Sequence, residues 1–413
     1  MHSNALLITS FLALCQGQQF LLAGTEYTSI DATNFTGKVA GFRFWEIVIN
    51  NKQACDITNL AGVRVVQVDG IDPNLNDEGV IKHPTKVVER APPFATQTQS
   101  LSELRRVSQP KIVTNRDKFR NYVFNGKAGA ETYVYLVDDG INTLPIDLQG
   151  RVAPNPIVTG SKRQNENDLI DRSRNGHSTC AASKACGMRF GVAKSSTCVA
   201  VKTGRVIGDS AKAWSMILDD IVSRGIRKRA VINYSQSRTL PPSQSIPEHW
   251  LDAAEVMTEL MNKDVPIVAA AGNHAKEPGH SQAIDVYPQA WSKDTFPIIN
   301  VGGTTEDGQR NSFSQDGPTL ALSAQGEGLT CSPGTGDGRP PSARFGTSYA
   351  APQVAGMLAY FLSLDPPPFN TDDGKVSVNA LNFLKNTASY PREDGGPNMA
   401  WNLITEVENP PTA

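Results

Sequence analysis

Little in this chain of 413 residues favours one sign of charge: 39 Lys and Arg face 41 Asp and Glu, a formal net charge of −2. A balance that close gives no reason to expect a nucleic-acid partner or an anionic membrane surface. Long apolar runs are missing too. The amino-terminal run from Ala5 to Cys15 is interrupted at Thr9 and Ser10 and falls short of the roughly 20 residues that span a bilayer. Histidine and cysteine number six each, with no Cys-x-x-Cys or His-x-x-x-His spacing, which argues against zinc. Internal repeats and low-complexity blocks are lacking as well.

What remains is an ordinary globular composition, 39% hydrophobic and 19% charged. The length allows one large domain with a smaller one beside it. The short apolar run ends in small residues around Cys15-Gln16-Gly17, so residues 1–17 read as a secretory signal and the chain as secreted and extracellular. Residues 18–106 hold two β-like runs, Phe42 to Asn50 and Gly62 to Val68, followed by a polar, Pro-bearing stretch from His83 to Pro110. Arg105-Arg106 lies in that stretch, which reads as a linker, and the pair reads as a processing site. Asn34-Phe35-Thr36 is an exposed glycosylation sequon on this reading. Cys15 would leave with the signal and Cys55 with the amino-terminal segment. Cys180, Cys186, Cys198 and Cys331 then allow three full pairings. An oxidising compartment favours at least one disulfide, while Cys180 reads as a small buried hydrophobe.

From about residue 111 short apolar runs alternate with amphipathic segments. Tyr133–Val137, Cys198–Val201, Ala230–Tyr234, Val265–Ala271 and Pro297–Val301 read as strands buried on both faces. Ala211–Val222, Trp250–Met261, Val354–Leu364 and Val376–Leu384 show helical spacing. That alternation predicts an α/β fold in three layers, a central and mostly parallel sheet covered by helices on each side.

Open parallel sheets put their working residues at the carboxyl ends of strands. The first strand delivers Asp138 followed by Asp139-Gly140. Next, Asn175-Gly176-His177-Ser178-Thr179-Cys180-Ala181-Ala182-Ser183 places a histidine at the start of a helix of small residues, against which other elements can pack closely. Val268-Ala269-Ala270-Ala271-Gly272-Asn273 is a buried strand running into an amide that can donate a hydrogen bond. Phe345-Gly346-Thr347-Ser348-Tyr349-Ala350-Ala351-Pro352 sets a serine after a glycine turn, at a helix start whose N–H groups and dipole favour negative charge. Pro352 is tolerated in the first turn, where its missing N–H costs nothing.

In the order Asp, His, Asn, Ser, these segments over residues 111–405 resemble the subtilisin-like serine peptidases, most of all the fungal proteinase K branch. The resemblance implies domains at 1–17 (signal), 18–106 (a small α+β propeptide, inhibitor and folding aid) and 107–413 (a subtilisin-like peptidase domain). It implies a serine endopeptidase with Asp138, His177 and Ser348 as catalytic triad and Asn273 in the oxyanion hole. It places Ser235, Gln236, Ser237 and Gly272 at the substrate cleft, pairing with an extended peptide. Partners on this reading are protein or peptide substrates and the chain's own propeptide. Neither nucleic acid nor membrane is a partner, and the state is monomeric. No cofactor is implied; structural calcium is common in the family, but no ligand set is readable here. Asn233-Tyr234-Ser235 also matches a sequon, yet sits in a buried strand. Ser178, Asp139, Gln236-Ser237 and Tyr349 depart from the family pattern and bear on rate and specificity. A catalytically dead peptide-binding homologue and a peptide transferase or ligase are the rival readings.

Overall fold

A computed structural model describes residues 93–411 apart from 112–114, 160–168, 172, 204–206, 240–245, 247 and 335–343, together with five strands between residues 18 and 89. The presumed signal, Asn34, Cys15 and Cys55 lie outside the described residues. Four of the early strands form one antiparallel sheet: β1 (Gln18–Gly24), β2 (Phe35–Val39), β3 (Phe42–Ile49) and β4 (Val63–Val68), in the order β2-β3-β1-β4. The two β-like runs of the sequence are β3 and β4.

The stretch read as a linker is instead structured over much of its length. β5 (Val87–Glu89) and β6 (Phe94–Gln97) pair antiparallel, and β6 pairs onward with β7 (Tyr122–Asn125). Helix α1 (Ser102–Ser108) contains the Arg105-Arg106 pair. Leu104 and Val107 of α1 are buried in the main core, and Glu103 forms a buried ion pair with Lys184. Arg105 pairs with Glu306, 3.3 Å away. The reason is tertiary: α1 is short, and its ion pair and its two core side chains fix it.

Among the described residues the main sheet has nine strands. In spatial order they are Ser389–Tyr390 (β15), Met399–Ala400 (β16), Leu320–Gln325 (β14), Ile299–Thr304 (β13), Ile267–Ala270 (β12), Ala230–Tyr234 (β11), Tyr133–Asp138 (β8), Thr197–Lys202 (β10) and Ile157–Val158 (β9). Every neighbouring pair is parallel except β15 with β16. Alternation along one strand shows the layers. Val134 and Leu136 of β8 join a core with Ala350, Val354 and Leu358, while Tyr135 and Val137 join another with Trp214, Ile217 and Leu260. Period-2 side chains thus feed both faces, as expected of a sheet covered on each side.

The helices that cover it are α2 (His177–Cys186), α3 (Ile207–Arg224), α4 (Glu248–Asn262), α5 (Thr347–Leu362) and α6 (Val376–Asn386). α5 runs through the first core and is buried along nearly its whole length. Its Gly356 is needed for close approach: a Cβ there would lie 2.6 Å from the Ala185 carbonyl oxygen of α2. The small side chains of α2 serve the same contact from the other side. Two disulfides tie this region, Cys180–Cys331 and Cys186–Cys198. Cys180 is therefore cross-linked rather than a free buried thiol; its partner is 151 residues away, where no local pattern points to it.

Candidate active site

Asp138 is the last residue of β8, where the parallel sheet ends, and is buried. His177 opens α2, so the next strand's helix meets it there. Its Nδ1 lies 2.8 Å from Asp138 Oδ2, and the imidazole keeps 17% of its surface exposed. Ser178, a departure from the family pattern, takes part in this arrangement. Its hydroxyl donates to Asp138 Oδ1 (2.6 Å) and accepts from the Asp139 N–H (2.9 Å), which also reaches Asp138 Oδ1 at 2.9 Å. The carboxylate is thus fixed from two sides while one oxygen faces the imidazole.

The start of α2 is held by Asp171, which accepts from the Thr179 N–H (2.8 Å) and hydroxyl and from the Ser173 N–H (2.9 Å). A carboxylate at a helix start satisfies orphan N–H groups and meets the positive dipole end. Burial holds the Asp171 carboxyl above its ordinary range despite these donors. Burial also pulls the His177 pKa down, but the charge and hydrogen bond of Asp138, with Asp171 and Asp139 behind it, outweigh that and leave it raised.

Ser348 is half-buried in the first turn of α5, after Gly346. Tyr349, beside it, sets its ring 5.2 Å from the imidazole. The Ser348 hydroxyl donates to the Ser235 carbonyl oxygen at 3.2 Å, and the Ser235 hydroxyl donates to the Ser348 carbonyl oxygen at 2.8 Å. Among the described hydrogen bonds none joins Ser348 to His177. Asn273 meets the same helix start: its Oδ1 accepts from the Thr347 N–H and hydroxyl, both at 2.9 Å. With Oδ1 so engaged, the amide Nδ2 is the group left to donate elsewhere.

The residues expected at the cleft are placed unevenly. Ser235 touches Ser348, as above. Gln236 is buried with its amide on Thr203 (3.4 Å), so its side chain does not line a cleft; a buried amide requires such a partner. Ser237 is half-buried. Gly272 has both backbone groups engaged, its N–H on Thr347 Oγ1 (3.2 Å) and its carbonyl on the Gln315 N–H (3.0 Å). Its φ is +107°, and a Cβ would lie 2.1 Å from Gln315 Oε1, so only glycine fits. Asn233 is buried with its amide on Ser235, which rules out the sequon there as a surface site. Past β11 a pocket opens among Trp214, Tyr234, Arg238, Trp250, Tyr287 and Trp291. No single apolar run signalled it, because its rings come from four separate segments.

Residues 129–400 match the family model described as the subtilase family. The chain belongs to the subtilase family. This subtilase is 28% identical over 296 residues to Subtilisin-like protease 1 of Trichophyton verrucosum, an alignment covering 69% of it and 63% of that relative. It is 32% identical over 252 residues to Alkaline protease 1 of Aspergillus clavatus, covering 59% of the chain and 55% of the relative. The chain thus spans less than two-thirds of the length of either. A cold-adapted subtilisin-like serine proteinase of known crystal structure shares the fold, with a TM-score of 0.56 at 23% identity over 74% of this subtilase and all of that chain. Among the described residues no helix is long and apolar enough to cross a membrane.

Proposed function

We propose that this subtilase is a serine endopeptidase that hydrolyses protein or peptide substrates through an acyl-enzyme on Ser348. The observation that carries this reading is the Asp138 carboxylate, fixed by Ser178 and Asp139, set 2.8 Å from Nδ1 of His177. A carboxylate on Nδ1 holds the tautomer that leaves Nε2 free to accept a proton. On this proposal Ser348 Oγ, released from Ser235, attacks the scissile carbonyl as His177 takes its proton. His177 later returns that proton to the leaving amine, and water repeats the cycle to free the acid. The developing oxyanion is received by Asn273 Nδ2, beyond the end of β12, and by the Ser348 N–H in the first turn of α5. The strand end at Ser235–Ser237 pairs with the peptide backbone, and the aromatic pocket beyond it takes an apolar side chain.

The amino-terminal antiparallel sheet is proposed as the propeptide, with secretion directed by residues 1–17 and the two disulfides suiting an extracellular setting. The dead-homologue reading rests on one observation, the Ser348 hydroxyl engaged by the Ser235 carbonyl. Labelling by a peptidyl phosphonate separates the two. Covalent modification of the wild type but not of Ser348→Ala, with casein hydrolysed by the first alone, supports the peptidase. An unlabelled, folded wild-type protein with its amino-terminal segment removed would overturn it.

A further inference from the structure

Directly after Asn273 the chain makes two consecutive turns. The Glu277 N–H bonds the His274 carbonyl at 2.9 Å and the His280 N–H bonds the Glu277 carbonyl at 3.2 Å. Steps of three residues therefore bring His274, Glu277 and His280 to one side of the loop. The two imidazoles stack with centroids 4.5 Å apart. His274 Nδ1 lies 2.8 Å from Glu277 Oε2. One donor atom from each of the three side chains lies within 4.8 Å of the other two. The loop keeps these side chains accessible, with 19%, 57% and 23% of His274, Glu277 and His280 exposed.

Behind them stands a prepared outer layer. Asp285 faces His280 Nδ1 at 3.3 Å through both oxygens. Asp285 is itself anchored by the Ser281 N–H (2.8 Å) and the Gln315 amide (2.7 Å). A carboxylate on one ring nitrogen fixes the tautomer and raises the basicity of the other, which is the usual support of a metal-bound histidine.

We propose that His274, Glu277 and His280 form a binding site for a zinc-class divalent cation, with Asp285 as the outer partner of His280. Two imidazoles and one carboxylate are the donor set for zinc and its first-row neighbours, whereas calcium and magnesium take oxygen ligands. Tetrahedral zinc with bonds of about 2.0–2.1 Å needs donors roughly 3.4 Å apart, so three atoms within 4.8 Å of one another must converge by at most about 1.4 Å. Partial exposure leaves a fourth position to water. The His-x-x-Glu-x-x-His spacing escapes a search for His-x-x-x-His because it is built on successive turns and not on a helix. The inference does not depend on the peptidase reading, since nothing in it uses Ser348.

The test is calorimetric titration of the full chain carrying Ser348→Ala with Zn²⁺, beside His280→Gln, Glu277→Gln, Asp285→Asn and His177→Gln in the same background. The proposal expects one zinc per chain and at least a tenfold loss of affinity in His280→Gln and Glu277→Gln. It expects a roughly 10–100-fold loss in Asp285→Asn and unchanged binding in His177→Gln. Co²⁺ in place of zinc should give the visible absorption of a tetrahedral complex, absent in Glu277→Gln. Glu277 is exposed, so that variant folds whatever the fate of the histidine variants. No binding, binding lost only with His177, or equal affinity across the loop variants would each overturn the assignment.

Discussion

The two disulfides close loops of very different length, and that difference gives a stability prediction in which most other terms cancel. Cys180–Cys331 encloses 151 residues and Cys186–Cys198 only 12. In the chain-entropy model a cross-link constrains the unfolded chain by an amount that grows with the logarithm of its loop. That is worth about 5 kcal/mol for the long loop and about 3 kcal/mol for the short one at 25 °C. All four cysteines are at most 2% exposed, so replacing either pair by alanine removes similar packing. The native state should also survive loss of the long bridge. Lys184 donates to the Thr330 carbonyl, the Ser332 N–H reaches Ser183 Oγ at 3.2 Å, and Ser332 Oγ donates to Asp147 at 2.8 Å. These bonds keep residues 330–332 beside α2 without the sulfur bridge. Equilibrium urea unfolding of the Ser348→Ala chain, followed by tryptophan fluorescence, should therefore show Cys180→Ala/Cys331→Ala losing about 2 kcal/mol more than Cys186→Ala/Cys198→Ala. Equal losses, or the reverse order, would refute the unfolded-state argument and place the effect of the bridges in the folded structure.

Further outcomes follow from the proposed peptidase reading of the site. The raised pKa of His177 means the imidazole stays protonated, and useless as a base, to higher pH than usual, so kcat/KM should fall as pH drops through that value. By linkage its stability contribution is complete below the unfolded-state pKa and is lost as pH rises through the folded one. Ring-proton NMR should show Asp138→Asn lowering the His177 pKa, because burial remains and the nearest opposing charge is gone, leaving only Asp171 and Asp139 against it; a rise would contradict this. Ser178→Ala removes a donor to a charged carboxylate and should cost about 1.5–3 kcal/mol in urea unfolding, with the acid limb of kcat/KM moving to higher pH as the Asp138 carboxylate, less shared, acts more fully on the imidazole. Asn273→Ala should lower kcat about 10²–10³-fold with KM little changed, which steady-state kinetics on a chromogenic peptide would detect.

The parallel sheet was legible because strands buried on both faces leave apolar runs. β11 coincides with its expected bounds, and β8, β10, β12 and β13 overlap theirs. β14 was not, since two of the six residues in Leu-Ala-Leu-Ser-Ala-Gln are polar, although Ser323 and Gln325 are buried and bonded. Asp138, His177, Asn273 and Ser348 were found through the company they keep in sequence, and the structure brings Asp138 to His177 and Asn273 to the Ser348 helix. What sequence could not carry was orientation. The inward turn of Gln236, the Ser348 hydroxyl on Ser235 and the Ser178 hydroxyl on Asp138 all depend on neighbours distant along the chain.

The same distinction between local pattern and tertiary partner decides where a propeptide would end. A basic pair in a polar, proline-bearing stretch looks like a cleavage site, but Arg106 lies in α1, and its carbonyl accepts from the Tyr390 hydroxyl at 3.1 Å. A cut there would separate Glu103 from the body of the protein and leave Lys184, fully buried, without its counter-charge. Removing one partner of a buried ion pair costs about 3–5 kcal/mol, a large part of the stability of any domain. β5 and β6 are paired with β7, which extends the body back to Val87, whereas the separate antiparallel sheet ends with β4 at Val68. The junction that sacrifices neither sheet lies between these two residues. Amino-terminal sequencing of the processed protein should place its first residue after Val68 and before Val87, and a mature chain beginning at Val107 would show that the Glu103–Lys184 pair is dispensable.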